Sequence, residues 1–233
     1  MFTARHVGPA ALAAALASFT VPAHAAMVSY YLSQTNIESV LADGVNYARV
    51  DIDDDTPNRI TFNVTLLASL TSIAGSNFGI DEFAFNIIGH TEQTPLVLDS
   101  SANPGTWGLP ANWMADVAPP PNQADGFGRF DVSVNKAPQA LRISPLSFAL
   151  IGTGLSINSF QENSTNNDGV QPPVFFSAHI AGFTVDGSTV TSGYFGGSTL
   201  VAVVPLPATL PLVFSGLMAL GTLGFGRRHR GAN

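Results

Sequence analysis

Chemistry needs side chains that can hold a cation, move a proton or stack on a ligand, and this chain offers few places where such groups gather. The densest is Asp51-Ile52-Asp53-Asp54-Asp55. Clustered carboxylate oxygens are what calcium takes outside the cell. The stretch lacks the glycine and distal glutamate of an EF-hand loop and ends in Thr56-Pro57-Asn58. It therefore reads as a hairpin turn, with a calcium site on Asp51, Asp53 and Asp55 as the alternative, and calcium is the one cofactor the sequence suggests. Trp107 and Trp113 share one Gly/Pro-rich segment. Flat indole faces suit the apolar side of a sugar ring, and the same rings could instead plug one end of a β-domain. His179 is expected to stand in solvent on a strand, opposite Phe176, Ala178 and Ile180. Asp81 and Glu82 are neighbours on a strand, so regular alternation sends them to opposite faces and they do not make a carboxylate pair.

Several chemistries are absent at the level of composition. With no cysteine there is no thiol nucleophile, thiolate metal site or disulfide. No Gly-x-Ser-x-Gly elbow accompanies His90 or His179, and no Gly-x-x-x-x-Gly-Lys follows Gly196-Gly197. Sixteen carboxylates lie between Glu38 and Asp186, opposed there by Arg49, Arg59, Arg129, Lys136 and Arg142, a surplus of eleven negative charges. Such a surface repels nucleic acid, which is bound by clustered lysine and arginine.

The elements that must position these groups are strands. Ile60, Phe62, Val64 and Leu66 alternate with polar residues, as do Phe130, Val132 and Val134. Period two is the mark of half-buried strands. Further strands are predicted at Val28 to Leu32, Asn46 to Ile52, Phe78 to Ile88, Pro95 to Leu98, Leu141 to Leu150, Val174 to Val185, Val190 to Phe195 and Leu200 to Val204. One or two helical turns are expected at Asn36 to Leu41, and long loops at Asn103 to Gly128 and Glu162 to Pro173. About ten short strands separated by turn residues predict an all-β fold, an antiparallel β-sandwich of jelly-roll-like form. Spanning residues 26–203 and lacking disulfides, it must be stabilised by its own core.

Both ends are apolar. Arg5 precedes an Ala/Leu-rich run from Val7 to Val21, then Pro22-Ala23-His24-Ala25. Charge, a short apolar helix and small residues Ala23 and Ala25 at −3 and −1 make a secretion signal over residues 1–25, cut by signal peptidase after Ala25. His6 and His24 leave with it. At the other end Leu206 to Gly226 carries no charge and is followed by Arg227-Arg228-His229-Arg230. As a helix it would reach about 31 Å, the thickness of a bilayer core, although Pro207 and Pro211 shorten its regular part. Arg227, Arg228 and Arg230 form the stop-transfer cluster and favour the cytoplasmic side, which puts the strand-rich part outside.

Directly before this run stands Val204-Pro205-Leu206-Pro207-Ala208. The proline motif, the apolar helix and the terminal arginines together resemble the PEP-CTERM protein-sorting signal in its VPLPA variant, over residues 204–230. Leu206-Pro207-Ala208-Thr209-Leu210 also approaches a sortase signal of the LPxTG kind, but has leucine where that family has glycine. The resemblance implies a protein held briefly in the inner membrane until an exosortase cuts near the proline motif. It then passes to the cell surface or an exopolysaccharide matrix. The expectation for the strand-rich domain is a non-enzymatic structural or adhesive role. The alternative is a carbohydrate-binding or calcium-dependent lectin-like module using Trp107, Trp113 and Asp51 to Asp55.

Overall fold

The computed structural model describes residues 26–56, 58–89, 108–165 and 171–205. Over them the chain forms eleven strands, β1 (Ala26–Leu32), β2 (Gln34–Thr35), β3 (Ala48–Thr56), β4 (Arg59–Leu66), β5 (Ala74–Phe85), β6 (Trp113–Ala124), β7 (Gly128–Lys136), β8 (Leu146–Ile151), β9 (Phe176–Phe183), β10 (Ser192–Gly197) and β11 (Thr199–Pro205), with a short α-helix, α1 (Ala68–Thr71), and a 3-10 turn at Ile157–Phe160. They build two sheets, ordered β11-β1-β3-β4-β8 and β2-β10-β9-β5-β7-β6. Every strand pairing in both is antiparallel. The protein is all-β, as the alternation requires. The predicted signal, the strand at Pro95 to Leu98, His90, Trp107 and the segment 206–233 lie outside the described residues.

The apolar half of each alternation meets in one core. In β4 the buried positions are Ile60, Phe62, Val64 and Leu66, and β3 adds Val50 and Ile52. From the other sheet come Ile80, Phe83, Phe85, Val132, Val134, Phe176, Ala178, Ile180 and Phe195. Phe62 sits among the rings of Phe83, Phe85, Phe148 and Phe160, with centroids 4.9 to 6.1 Å away. Such ring clusters bury large apolar area and favour offset or edge-on contacts, which is how a domain without disulfides holds two sheets together.

Two expectations are corrected. The aspartate stretch is not a turn: β3 continues through it to Thr56, which pairs with Arg59, and Asn58 between them has φ of 61°. Polar side chains on the outer pleat of β3 look like turn residues in a sequence, yet one face of that strand is free to be charged. The segment Asn103 to Gly128 is not all loop, because residues 113–124 form β6. Pro119-Pro120-Pro121 masks it. β6 is the edge strand of its sheet, and its register with β7 breaks between Val117 and Asn122, where those prolines fall. Prolines are tolerated at a bulge on an edge, where no ladder donor is lost, and they blunt that edge against further pairing.

The tip of the β6–β7 hairpin folds back over the outer face of the second sheet. Ala124, Phe127 and Phe130 pack there with Ala84 and Val174, and Tyr194 packs against them. A Cβ on Gly196 would lie 2.6 Å from the Phe127 ring, so the glycine is what lets that ring lie flat on β10. One end of this outer face is thereby covered, and the other is left to polar residues.

Candidate functional site

The uncovered end of the second sheet's outer face holds the most connected polar cluster among the described residues. It is made possible by an irregularity in β5. Ile80 pairs with Ile180 and Glu82 with His179, so Asp81 is an extra residue in the ladder. Ile80 and Phe83 both point into the core, leaving Asp81 and Glu82 together on the outer side. This overturns the expectation that the two carboxylates face opposite ways. A bulge adds one residue and shifts the alternation by one.

Glu82 is held from two sides. The Ser133 hydroxyl on β7 donates to its Oε1 at 2.6 Å, and the Tyr194 hydroxyl on β10 donates to its Oε2 at 3.0 Å. Asp81 accepts from Arg142 Nε at 2.8 Å, and its buried Oδ1 has the Lys136 ammonium 3.5 Å away. Arg142 also donates through Nη1 to the Asn77 carbonyl at 3.0 Å. His179 Nδ1 lies 3.5 Å from Asp81 Oδ2, and its ring packs against Tyr194 with centroids 4.7 Å apart.

His179 keeps the outward face expected of it but is half-buried there, against Tyr194 and Asp81. Burial lowers its pKa from 6.5, outweighing the opposite pull of Asp81 and Glu82, while Arg142 adds to the lowering. Its approach to Asp81 is thus no ion pair at neutral pH. Burial, followed by the charge and hydrogen bond of Glu82, pushes the Tyr194 hydroxyl far above its ordinary range, so Tyr194 stays a donor.

The depressed histidine has a consequence for stability. A group that binds its proton more weakly when folded favours the folded state above its unfolded pKa, and that contribution is lost as pH falls through the folded value. Stability should fall as pH drops below about 6.5, and His179→Gln should flatten that part of the profile. Urea midpoints measured between pH 7.5 and pH 5 check this. A parallel slope in wild type and variant would contradict a half-buried imidazole that is neutral in the folded state.

Beside the cluster a second irregularity opens a cleft. Ala74 pairs with Phe183 and Gly79 with Ala181, so residues 75–78 bow out of the ladder. The bowed segment and the β9–β10 hairpin enclose an open cleft of about 320 Å³, whose lining includes Ser76, Arg142, His179, Thr184, Thr191 and Ser192. Gly182, with φ of 85°, forms part of its floor, where a Cβ would lie 2.6 Å from the Asn77 carbonyl oxygen.

The residues singled out from sequence are placed elsewhere. Asp51 is buried on the outer face of the first sheet, accepting from Ser29 Oγ at 2.6 Å and pairing with Arg49 at 2.9 Å. Asp53 pairs with Met27 and Thr61 two residues along β3, Asp54 lines a separate hollow with Val28, Ile157 and Leu200, and the side chain of Asp55 lies outside the described residues. Among the described residues no three carboxylates or imidazoles gather to hold a metal ion. Trp113 is only 8% exposed and belongs to the main core, so its ring offers no open face to a sugar. Val204 and Pro205, the first two residues of the proline motif, close β11 by pairing with Met27 and Ala26. Among the described residues no helix is long and apolar enough to cross a membrane.

Sequence reasoning missed the cluster because its members come from β5, β7, β9, β10 and the segment before β8. The one local signal was Gly75-x-x-x-Gly79 inside a strand pattern, since glycine in a strand marks a bulge or a close backbone approach. Comparison with protein-family models, with curated proteins and with solved structures finds no match.

Proposed function

We propose that this chain is an exported cell-surface or matrix protein of the PEP-CTERM kind, whose β-domain crosses the inner membrane and has a non-enzymatic structural or adhesive role. The observation that carries the reading is the order of parts at the two ends: Arg5, an apolar run and Ala23-His24-Ala25 at one, and Val204-Pro205-Leu206-Pro207-Ala208, an uncharged run and Arg227, Arg228 and Arg230 at the other. In this reading signal peptidase and an exosortase are the processing partners, and the membrane is a transient one.

The geometry lends support. Ala26, the first residue after the predicted signal cut, pairs with Pro205 of the sorting motif. The chain therefore enters β1 and leaves β11 side by side in one sheet, and cuts at Ala25 and after the proline motif leave the β1–β11 ladder in place. A domain so arranged folds while tethered and stays folded when released. The jelly-roll-like form is supported by the nesting of β1 with β11 and of β2 with β10, while β1, β3 and β4 run as a simple meander.

Two sets of substitutions in the native host test the reading. Ala23→Leu with Ala25→Leu should yield a form heavier by the signal segment. Pro205→Ala with Pro207→Ala should leave a membrane-bound form that retains the arginine tail. Wild-type processing of both would overturn it.

A further inference from the structure

We infer that the last pairs of the β1–β11 ladder act as a brake on the sorting cut: the folded domain holds Val204 and Pro205 in its own sheet, and the processing enzyme reaches the proline motif only when this end of β11 peels away. The inference rests on the export reading and adds to it what sets the rate of the cut. Its basis is register. Met27 pairs with Val204 and Ala26 with Pro205, so the first two residues of the motif are already partnered. That overlap depends on a bulge. Tyr30 pairs with Leu200 but Ser29 with Ala202, which leaves Val201 as an extra residue in β11. In unbroken register Ala26 would meet Val204, and Pro205 would have no partner in a chain cut after Ala25.

The two strands are unequal. β1 lies between β11 and β3, and Met27 pairs with Asp53 on its other side, so β1 stays in place when β11 lets go. β11 is an edge strand. Its run Thr199-Leu200-Val201-Ala202-Val203-Val204 is uncharged and rich in β-branched residues, which favours the strand right up to the motif. Pro205, with no N–H to give a ladder, closes it. An enzyme that takes a peptide as an added strand uses the main-chain groups that a sheet uses, so Val204 and Pro205 cannot lie in both. No residue separates Pro205 from the uncharged run that begins at Leu206, and the chain therefore offers no slack beyond the ladder. Cleavage waits on fraying, which costs least at the terminus of an edge strand.

The test is pulse-chase processing of the full chain in its native host. Met27→Cys with Val204→Cys joins a cross-strand pair whose spacing in an antiparallel ladder suits a disulfide, and the chain has no other thiol. The bridged chain should be released about tenfold more slowly or worse, with reductant restoring the rate, while Val204→Cys alone is cut like wild type. Gly-Ser-Gly-Ser inserted between Val203 and Val204 carries the whole motif past the ladder and should speed release several-fold. If the bridge does not form, or Val204→Cys alone is not cut, the spacer variant decides. Wild-type rates in the bridged chain or in the spacer variant, with the wild-type chain itself processed, would overturn the brake and leave the export reading standing. A wild-type chain that keeps both apolar ends would overturn the export reading and the brake with it.

Discussion

Phe62→Ala should lower the unfolding free energy by about 3–5 kcal/mol, the largest loss expected from one truncation in this domain. Phe62 has no exposed surface and is the ring on which both sheets converge: Phe148 stacks on it at 4.9 Å, Phe85 at 5.1 Å, and Phe160 meets it edge-on at 5.0 Å. Alanine removes the partner of all of these at once. Phe148 and Phe85 ride on hydrogen-bonded strands of two different sheets, so they cannot close the cavity without breaking a ladder, and the cavity cost adds to the lost burial. Leu141→Ala serves as the control, because Leu141 is 73% exposed and its loss should fall within about 0.5 kcal/mol. Equilibrium urea unfolding reads both. A Phe62→Ala loss near that of Leu141→Ala would mean that the two sheets do not share this core.

The second large effect is expected from Gly182→Ala, at about 3 kcal/mol or more. Gly182 has φ of 85°, where an added Cβ costs about 1–2 kcal/mol on conformational grounds alone. Here the Cβ would also lie 2.6 Å from the Asn77 oxygen and 2.7 Å from Phe78 Cα, both backbone atoms of the bowed segment, which would have to move. Gly187 separates the two costs. Its φ is 76°, but nothing lies within 4 Å of an added Cβ, so Gly187→Ala should show the conformational cost without the collision. Thermal melting of the pair should therefore give two clearly different losses. Equal losses would contradict the close approach of β9 to the bowed part of β5.

Much of this architecture is legible in the residues, and what is not has physical causes. β4 and β7 announce themselves because one face is apolar and the other polar over a regular ladder. β6 is hidden because prolines that would destroy an inner strand cost little at a bulge on an edge. β8 begins at Leu146, later than its apolar pattern suggests. Pro145 has no N–H to give a ladder, and Ile143 is instead used to cross to β5, where the Ile80 amide donates to its carbonyl. The polar cluster was beyond reach for a different reason. An inserted residue in a strand leaves no change of composition, so the pattern around Asp81 and Glu82 looks regular while its faces have exchanged. His179 likewise looks solvated from its own strand, because what buries it, Tyr194 and Arg142, comes from elsewhere in the chain.

The dense aspartates belong to a strand and not to a turn: Asp51 is satisfied by Ser29 and Arg49, while Asp54, on the other pleat of β3, lines a separate hollow. Where carboxylates sit in space depends on the pleat and its defects more than on how many stand in a row.

Intact mass with N- and C-terminal sequencing of the mature protein from its native host tests the export account most directly. A molecule that begins at Ala26 and ends near Ala208 is the predicted result, with the β1–β11 ladder retained and both apolar ends gone. A mature molecule that still carries residues 1–25, or that still ends in the Arg227 to Arg230 cluster, would contradict it.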